Sequence, residues 1–147
     1  KQLIKLQEMK IIIFLLLAIS LFTRVFAQTE TKMEDNSNKL AVLWTSGDPD
    51  VAEKMAFMYT YNAKKQAWFD EVVLIVWGPS AKLLSENKSL QDYVKKMQEA
   101  GVKVEACIAC ARMYDVDKKL AEFGIDVKGM GTPLTKYIKE GWKTLSL

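Results

Sequence analysis

The stretch V-K-V-E-A-C-I-A-C-A-R-M, residues 102–113, decides the fold of this chain. From Val102 to Ile108, apolar residues alternate with Lys, Glu and Cys, and a period of two predicts a β-strand that runs into a turn. The two cysteines of the sequence, Cys107 and Cys110, lie where that strand should end. The stretch therefore predicts a strand-to-helix junction that carries a C-x-x-C motif.

This C-x-x-C motif is the best candidate for a functional site in the sequence. Cysteines at this spacing lie within bonding reach, and the free N–H groups and dipole at the start of a following helix favour the thiolate. The thiolate is the nucleophilic form of cysteine. In the competing interpretation, Cys107 and Cys110 are two small buried hydrophobic residues, because free cysteine is among the most buried residue types.

Residues 1–27 have the three parts of a secretory signal peptide. A basic start precedes the apolar run of residues 11–22, and V-F-A at residues 25–27 predicts cleavage directly after it. The run is shorter than the roughly 20 residues of a membrane span, and Arg24 argues against an uncleaved anchor. We therefore predict a secreted, periplasmic protein with no membrane association after cleavage, residues 1–8 being an extension from a misplaced start site.

Charge and composition limit the classes of function. Residues 1–27 contain four basic residues and one acidic residue, so 17 of each sign remain and the formal net charge of the rest is zero. Without a basic excess, we expect no nucleic-acid binding. The absence of histidine excludes a Cys-His pair and a histidine-activated serine. We expect no metal and no cofactor in the protein.

The remaining chain divides into a leader and one domain. Residues 28–38 are rich in Thr, Asn, Ser and Glu, which predicts a disordered leader. Residues 39–147 are long enough for a single compact core. Nearly continuous apolar segments at residues 39–46 and 71–77 predict strands that are covered on both faces. Shorter strands are predicted at residues 125–128 and, as an edge strand, at residues 143–147.

Caps and helical spacing predict helices between these strands. Asp48 before Pro49 predicts a helix start. That helix should carry its inward stripe on Val51, Met55, Met58, Tyr59 and Asn62. Further helices are predicted at residues 81–85 and from near Ser89 to a stop at Gly101. Another helix should follow a cap at Asp115 or Asp117. The last helix should follow a cap at Thr132, with Leu134, Ile138 and Trp142 facing inward.

Alternating strands and helices predict an α/β fold, with a parallel sheet between helices on both faces. Ligands of such sheets bind beyond the carboxyl ends of the strands. That edge should collect Thr45, Ser46 and Gly47 after strand one, Trp77, Gly78 and Ser80 after strand two, both cysteines, and Met130 and Thr132 after strand four. Glycine and hydroxyl residues also suit turns and caps, so the cysteines give the independent indication of chemistry.

Four motifs resemble the DsrE/DsrF-like family, which is named for sulfur-oxidation and sulfur-relay proteins. They are T-S-G-D at residues 45–48, W-G-P-S at residues 77–80, A-C-x-A-C at residues 106–110 and M-G-x-P-L-T at residues 130–135. The resemblance covers the whole predicted domain and is to a small subgroup that is often secreted. It implies a three-layer α/β/α fold with five parallel strands and assembly as a homo-oligomer, a trimer or hexamer.

The resemblance also implies a chemistry for the dithiol. In relay members of the family, a cysteine after strand three accepts a persulfide sulfur and passes it to the next protein. Cys107 matches that position, and Cys110 is an extra thiol found in some branches. The export signal argues against a role in tRNA modification and places the thiols in an oxidising compartment.

Three functions follow from these observations. The first is a thiol-based sulfur carrier, with Cys107 as nucleophile, Cys110 resolving the persulfide, and a sulfur donor or acceptor protein or a small thiol as partner. The second is a dithiol redox protein of thioredoxin type, with Pro133 opposite the thiols. The third is a non-catalytic module that binds a small ligand or assembles with other copies. A copper(I) site of both thiols with Met113 or Met130 is a variant of the third.

Overall fold

The computed structural model describes residues 38–147, so the predicted signal peptide and residues 28–37 of the predicted leader lie outside the described residues. Within this range, strands and helices alternate as predicted. The strands are β1 (Lys39–Trp44), β2 (Glu71–Val76), β3 (Lys103–Cys107), β4 (Asp126–Lys128) and β5 (Lys143–Ser146). No helix in residues 38–147 has the length and apolar character needed to cross a membrane.

The helices of this part of the chain connect the strands. Helix α1 has three consecutive segments, Pro49–Val51, Ala52–Phe57 and Met58–Lys65, of which the middle one is π-helical. The others are α2 (Pro79–Glu86), α3 (Lys88–Glu99), α4 (Ile108–Met113), α5 (Asp117–Glu122) and α6 (Gly131–Lys139). Each of the first four strands is therefore followed by at least one helix.

All neighbouring strands are parallel, in the order β4-β3-β2-β1-β5. From β1 to β4 the chain moves in one direction across the sheet, and the last connection returns past β1 to place β5 at the opposite edge. Right-handed crossovers that advance in opposite directions put their helices on opposite faces. Helices α1 to α5 thus cover one face and α6 the other, which confirms the predicted three-layer α/β/α fold.

The first helix begins as the sequence predicts. The Asp48 side chain accepts hydrogen bonds from the N–H groups of Asp50 and Val51 at 2.7 and 3.2 Å, and Pro49 is the first helical residue. These bonds satisfy N–H groups that have no partner within the helix. Gly101 follows α3 with a φ of +90°, which is the conformation expected of a helix stop.

Two other helix starts differ from the prediction. Helix α5 follows Val116, which makes no side-chain cap hydrogen bond, and Asp117 is its first residue, so the predicted aspartate cap is wrong. Helix α6 begins at Gly131 after Met130, so Thr132 lies within the first turn instead of capping it. An acidic residue is also favoured inside a first turn, where it interacts with the helix dipole. Aspartate therefore fits both the cap position and the first turn of a helix.

Helix α1 turns a different face to the sheet from the one that its apolar spacing predicts. Met55 and Met58 are 54% and 50% exposed, whereas Ala56 and Phe57 are fully buried. The predicted stripe assumes 3.6 residues per turn, but the π-helical segment has wider turns and shifts the side chains that follow it. The predicted inward stripe is therefore wrong, and its apolar residues form part of the surface.

The larger core lies between the sheet and helices α1 to α5. Its largest fully buried side chains include Trp44, Phe57, Leu74, Leu84 and Leu90. The rings of Trp44 and Phe57 are 4.8 Å apart and meet edge to face, and the Phe57 ring meets that of Tyr93 in the same way at 5.5 Å. Phe57 thus joins β1 to α3 at the centre of this core.

The smaller core lies between the sheet and α6. It contains Ala41, Val73, Ile75, Cys107, Met130 and Trp142, with Leu43, Trp77, Cys110, Leu134 and Tyr137 packed against it. Leu134 packs inward as predicted, but Ile138 is 58% exposed, so its predicted inward position is wrong. Tyr137 takes the inward position and packs against Trp142 with ring centroids 4.5 Å apart. Trp142 lies beyond the end of α6, which has no fully buried residue.

Candidate dithiol site

The two cysteines lie together where β3 meets α4, at the carboxyl edge of the sheet. Cys107 is the last residue of β3 and the N-cap of α4, and Cys110 is the third residue of that helix. Side chains at these two positions lie next to each other, as they do in a capping box. Both cysteines are free thiols, and Cys107 lies close enough to Cys110 to raise the pKa of its thiol.

Cys107 is enclosed in the smaller core. Its side chain is 5% exposed and packs in the same cluster as Ile75 and Met130. It makes no side-chain hydrogen bond to the N–H groups that begin α4, so the expected activation by the helix start is not found at this residue. The physical reason is the alternation of β3, which turns position 107 toward the face that α6 covers.

Cys110 is the more accessible of the two thiols and is half-buried. Burial raises the pKa of the Cys110 thiol above its ordinary value, a hydrogen bond from the backbone N–H of Gly78 lowers it, and the neighbouring Cys107 raises it again. The net pKa is raised, so most of this thiol is protonated at neutral pH. Gly78 supplies the contact that favours the thiolate.

The turn after β2 carries this N–H group. Gly78 has a φ of +72°, which favours glycine, and Pro79 begins α2 directly after it. A Cβ atom on Gly47 would lie 3.2 Å from the Pro79 Cβ, so the turns after β1 and β2 are in close contact. The turns after β1, β2 and β3 therefore meet at one edge of the sheet, where the fold class places them.

The hydroxyl groups predicted for this edge are bonded to the backbone. Ser80 is buried, and its hydroxyl accepts from the N–H of Trp77 at 3.0 Å and donates to the carbonyl that ends β1 at 2.7 Å. Thr45 Oγ1 donates to the Leu147 carbonyl at 2.9 Å, and Ser46 Oγ accepts from the N–H two residues later at 3.1 Å. These bonds hold the turns around the dithiol in place.

The remaining residues predicted for the site lie in two places. Trp77 and Met130 pack in the smaller core with both cysteines. Thr132 is exposed and lines a cavity of about 410 Å³ between α6 and the amino-terminal ends of the strands, where Lys39 and Glu71 also lie. The lining of that cavity includes neither cysteine. The structure thus joins Trp77 and Met130 to the dithiol and leaves Thr132 at another position on α6.

Comparison with known proteins gives the family of this chain. A sequence profile of the DsrE/DsrF-like family matches residues 38–147. The chain belongs to the DsrE/DsrF-like family. It is also similar to a solved structure of a conserved protein of unknown function from Bacteroides thetaiotaomicron, with 36% sequence identity, a TM-score of 0.72, and coverage of 75% of this chain and 95% of that one. A search of curated proteins found no match.

Membership in the DsrE/DsrF-like family, which is of the sulfur-relay type, confirms the resemblance carried by the four motifs. T-S-G-D follows β1, W-G-P-S follows β2, A-C-x-A-C spans the end of β3, and M-G-x-P-L-T follows β4. All four therefore lie at the carboxyl edge of the sheet or in the segment that leads from it into α6.

The DsrE/DsrF-like domain also has a buried carboxylate near the dithiol that the sequence analysis does not single out. Glu105 is 6% exposed, and it accepts hydrogen bonds from Lys128 Nζ at 2.8 Å and from the Tyr137 hydroxyl at 3.0 Å. Glu105 precedes Cys107 by two residues, so both lie on the same face of β3. That shared face is the signal in the sequence that could have identified it.

The groups around Glu105 have perturbed pKa values. Burial and the negative charge of Glu105 raise the pKa of Tyr137 to about 12. Burial disfavours the charged form of Lys128, but hydrogen bonds to Asp126 and Glu105 raise its pKa overall. Tyr137 and Lys128 therefore both donate to Glu105 at neutral pH, and these bonds fasten α6 and β4 to β3.

The geometry of the motif disfavours a thioredoxin-type redox site in this family member. Reactive cysteines are partly exposed and lie beside groups that stabilise the thiolate. The first cysteine of the motif, Cys107, is buried here, and Cys110 is the accessible one. Pro133, which a thioredoxin-type site would place opposite the thiols, lies in the first turn of α6 and lines the cavity that contains Thr132 and neither cysteine.

The copper(I) variant of the third function requires a methionine beside the two thiols. In the part of the chain that the structure describes, no group of three or more His, Cys, Asp and Glu side chains could hold a metal. The sulfur of Met130 shares the smaller core with both thiols, whereas Met113 is 81% exposed. Soft ligands of this kind suit copper(I), and Met130 is the better placed of the two methionines.

Proposed function

We propose that this protein is a thiol-based sulfur carrier, which accepts a persulfide sulfur at the Cys107–Cys110 dithiol. The observation that carries the proposal is the half-buried Cys110 thiol, which receives the N–H of Gly78 and has a second thiol beside it. Partial exposure next to a group that stabilises negative charge is typical of reactive cysteines. Membership in a family of the sulfur-relay type supports the same chemistry.

The environment of Cys110 favours a particular class of donor. Its raised pKa leaves a small thiolate fraction at neutral pH, and the rate of thiol–disulfide exchange depends on that fraction. The thiolate that does form is a stronger nucleophile than that of a thiol with a lower pKa. A persulfide or polysulfide offers a more reactive outer sulfur, so the partners that we propose are a donor or acceptor protein that carries a persulfide, or a small thiol in that form.

The proposal includes export, which the three-part pattern of residues 1–27 supports. Both points can be tested by intact mass measurement on protein recovered from the export compartment. We expect a chain that begins at residue 28 and that takes up sulfur from inorganic polysulfide, which it either keeps as a persulfide removed by reductant or releases as hydrosulfide while a disulfide forms. The double variant Cys107→Ser/Cys110→Ser is the control and should gain none. A wild-type protein that neither keeps added sulfur nor forms a disulfide with release of hydrosulfide would contradict the function, and a retained segment 1–27 would contradict export.

We also propose that copies of this chain associate through an apolar groove beside the edge strand β5. The groove has a volume of about 290 Å³ and is lined by Lys54, Met55, Met58, Tyr59, Asn62, Trp68, Leu145 and Leu147. Exposed apolar patches of this kind are typical of interaction sites. Within residues 38–147, β5 pairs with β1 alone, so its outer edge is open to a second copy. The trimer or hexamer that the family resemblance implies would cover both features.

The assembly can be tested by light scattering on the wild type and on Met58→Glu. We expect the wild type to be a trimer or hexamer and Met58→Glu to dissociate toward the monomer, because the substitution places a charge in the apolar groove. The matched control is Met113→Glu, since Met113 is exposed and lies outside the groove lining. A monomeric wild type, or a Met58→Glu variant that keeps the wild-type mass, would show that the groove has another role.

A further inference from the structure

We infer that Cys110 is the thiol that accepts the sulfur, and that Cys107 then resolves the persulfide, releasing hydrosulfide and leaving a Cys107–Cys110 disulfide. The inference rests on the proposed function and reverses the roles that the family resemblance assigns to the two cysteines. It also gives the protein a second activity, because the sulfur it carries is reduced and released.

The solvent exposure of each thiol determines which one can react with a donor. A thiol that accepts sulfur must approach the donor along the bond that breaks, which requires open space in front of its own sulfur atom. Cys107 is 5% exposed and enclosed by the smaller core, whereas Cys110 is half-buried at the carboxyl edge of the sheet. A persulfide on another protein can therefore reach Cys110 but is shielded from Cys107.

The backbone of the neighbouring turn supports the same assignment. The N–H of Gly78 is hydrogen-bonded to the sulfur of Cys110, where it favours the thiolate during attack. Gly78 has a φ of +72°, so this turn depends on a conformation that other residues rarely adopt. Cys107 has no corresponding contact with the start of α4. The N–H that stabilises negative charge is thus directed to the accessible thiol.

The position of Cys107 suits the resolving step. It is the N-cap of α4 and Cys110 is the third residue of that helix, and these two positions bring their side chains side by side. An intramolecular thiol reacts without having to be brought in from solution, so its burial does not prevent attack. The apolar surroundings of Cys107, which include Ile75 and Met130, keep competing external thiols away from it.

The two steps balance in atoms and electrons. In the first, the Cys110 thiolate attacks the outer sulfur of a donor persulfide; the donor S–S bond breaks, the donor leaves as a thiolate, and Cys110 becomes the persulfide. In the second, the Cys107 thiolate attacks the Cys110 sulfur and the outer sulfur leaves as hydrosulfide. The outer sulfur gains two electrons and the two cysteines lose them as they form the disulfide. An external dithiol reductant returns the protein to its starting state.

The roles can be separated by loading reduced protein with inorganic polysulfide, removing the excess, and following both released hydrosulfide and intact mass. We expect the wild type to release hydrosulfide in proportion to the protein and to end as a disulfide. Cys107→Ser should keep the sulfur on Cys110 and release none, with Cys107→Ala as a second variant that suits the apolar site. Cys110→Ser should take up no sulfur in the time that fully loads the wild type.

The outcomes distinguish this inference from the proposed function. Release of hydrosulfide by Cys107→Ser or Cys107→Ala at the wild-type level would overturn the resolving role, and loading of Cys110→Ser would overturn the accepting role. A wild type that takes up sulfur and keeps it as a stable persulfide would overturn the inference alone. A wild type that shows no persulfide, no disulfide and no released hydrosulfide would contradict the proposed function itself.

Discussion

Replacing Phe57 with alanine is expected to lower the free energy of unfolding by about 3–5 kcal/mol. The Phe57 ring is fully buried and meets the rings of Trp44 and Tyr93 edge to face, with centroids 4.8 and 5.5 Å away. Truncation removes these contacts and leaves a cavity between β1, α1 and α3 that rigid neighbours fill only in part. Urea denaturation of the two proteins, followed by circular dichroism, measures the difference.

The matched control is Tyr59→Ala, two residues further along the same helix. Tyr59 is 38% exposed and contacts Trp68 at the surface, with ring centroids 5.9 Å apart. Because Tyr59 also lines the groove between copies, both variants are measured in the Met58→Glu background, where we expect Tyr59→Ala to lose less than about 1 kcal/mol. The spacing of the sequence predicts that Tyr59 faces inward, so the pair of variants also tests the register of α1. A larger loss in Tyr59→Ala than in Phe57→Ala would reject the π-helical register.

Replacing Glu105 with alanine is expected to destabilise the fold by about 1–3 kcal/mol and to lower the pKa of Tyr137. The substitution removes the acceptor at 3.0 Å from the Tyr137 hydroxyl and the carboxylate at 2.8 Å from Lys128 Nζ. The negative charge of Glu105 disfavours tyrosinate and is one of the causes that raise the pKa of Tyr137 to about 12. Without that charge, the pKa should fall toward 10, although burial of the ring keeps part of the shift.

Ultraviolet absorbance of tyrosinate during a pH titration measures this change. Tyr137→Phe identifies which part of the curve belongs to Tyr137, and Glu105→Gln provides a neutral side chain of the same size that can still accept a hydrogen bond. We expect Glu105→Gln to shift the titration in the same direction as Glu105→Ala while losing less stability. If the curve of Glu105→Ala superimposes on that of the wild type, Glu105 does not control the ionisation of Tyr137.

Most of the fold can be predicted from the sequence because apolar patterns, helix caps and helix stops all indicate the same strands and helices. The apolar runs that form β1 and β2, the Asp48 cap and the Gly101 stop each fix an element through short-range physics. Parallel order then follows from the connections. The face of α1 could not be predicted in this way, because a π-helical segment changes the spacing on which the prediction depends. The start of α6 was ambiguous for a different reason, since threonine and proline suit both a cap and a first turn.

The candidate site could be located from the sequence, but not its internal arrangement. The C-x-x-C motif at the end of an alternating segment was sufficient to place Cys107 and Cys110 at the carboxyl edge of the sheet. Which thiol is accessible depends on the layer formed by α6, a helix whose packing involves residues far away in the chain. Glu105 was missed for the same reason, because its charge predicts a solvent-facing position until that layer is present.

Helix α6, the layer that covers the smaller core, and the edge strand β5 should unfold locally more easily than the rest of the domain. Helix α6 has no fully buried residue, and the strand that follows it, β5, is short and pairs with β1 at the edge of the sheet. Segments with few buried contacts open at a lower free energy than the protein as a whole. In the monomeric Met58→Glu variant, where no second copy covers β5, we expect amide hydrogens of α6 and β5 to exchange earlier than those of β2. Slow alkylation of Cys107 by a small reagent would then report how often this layer opens.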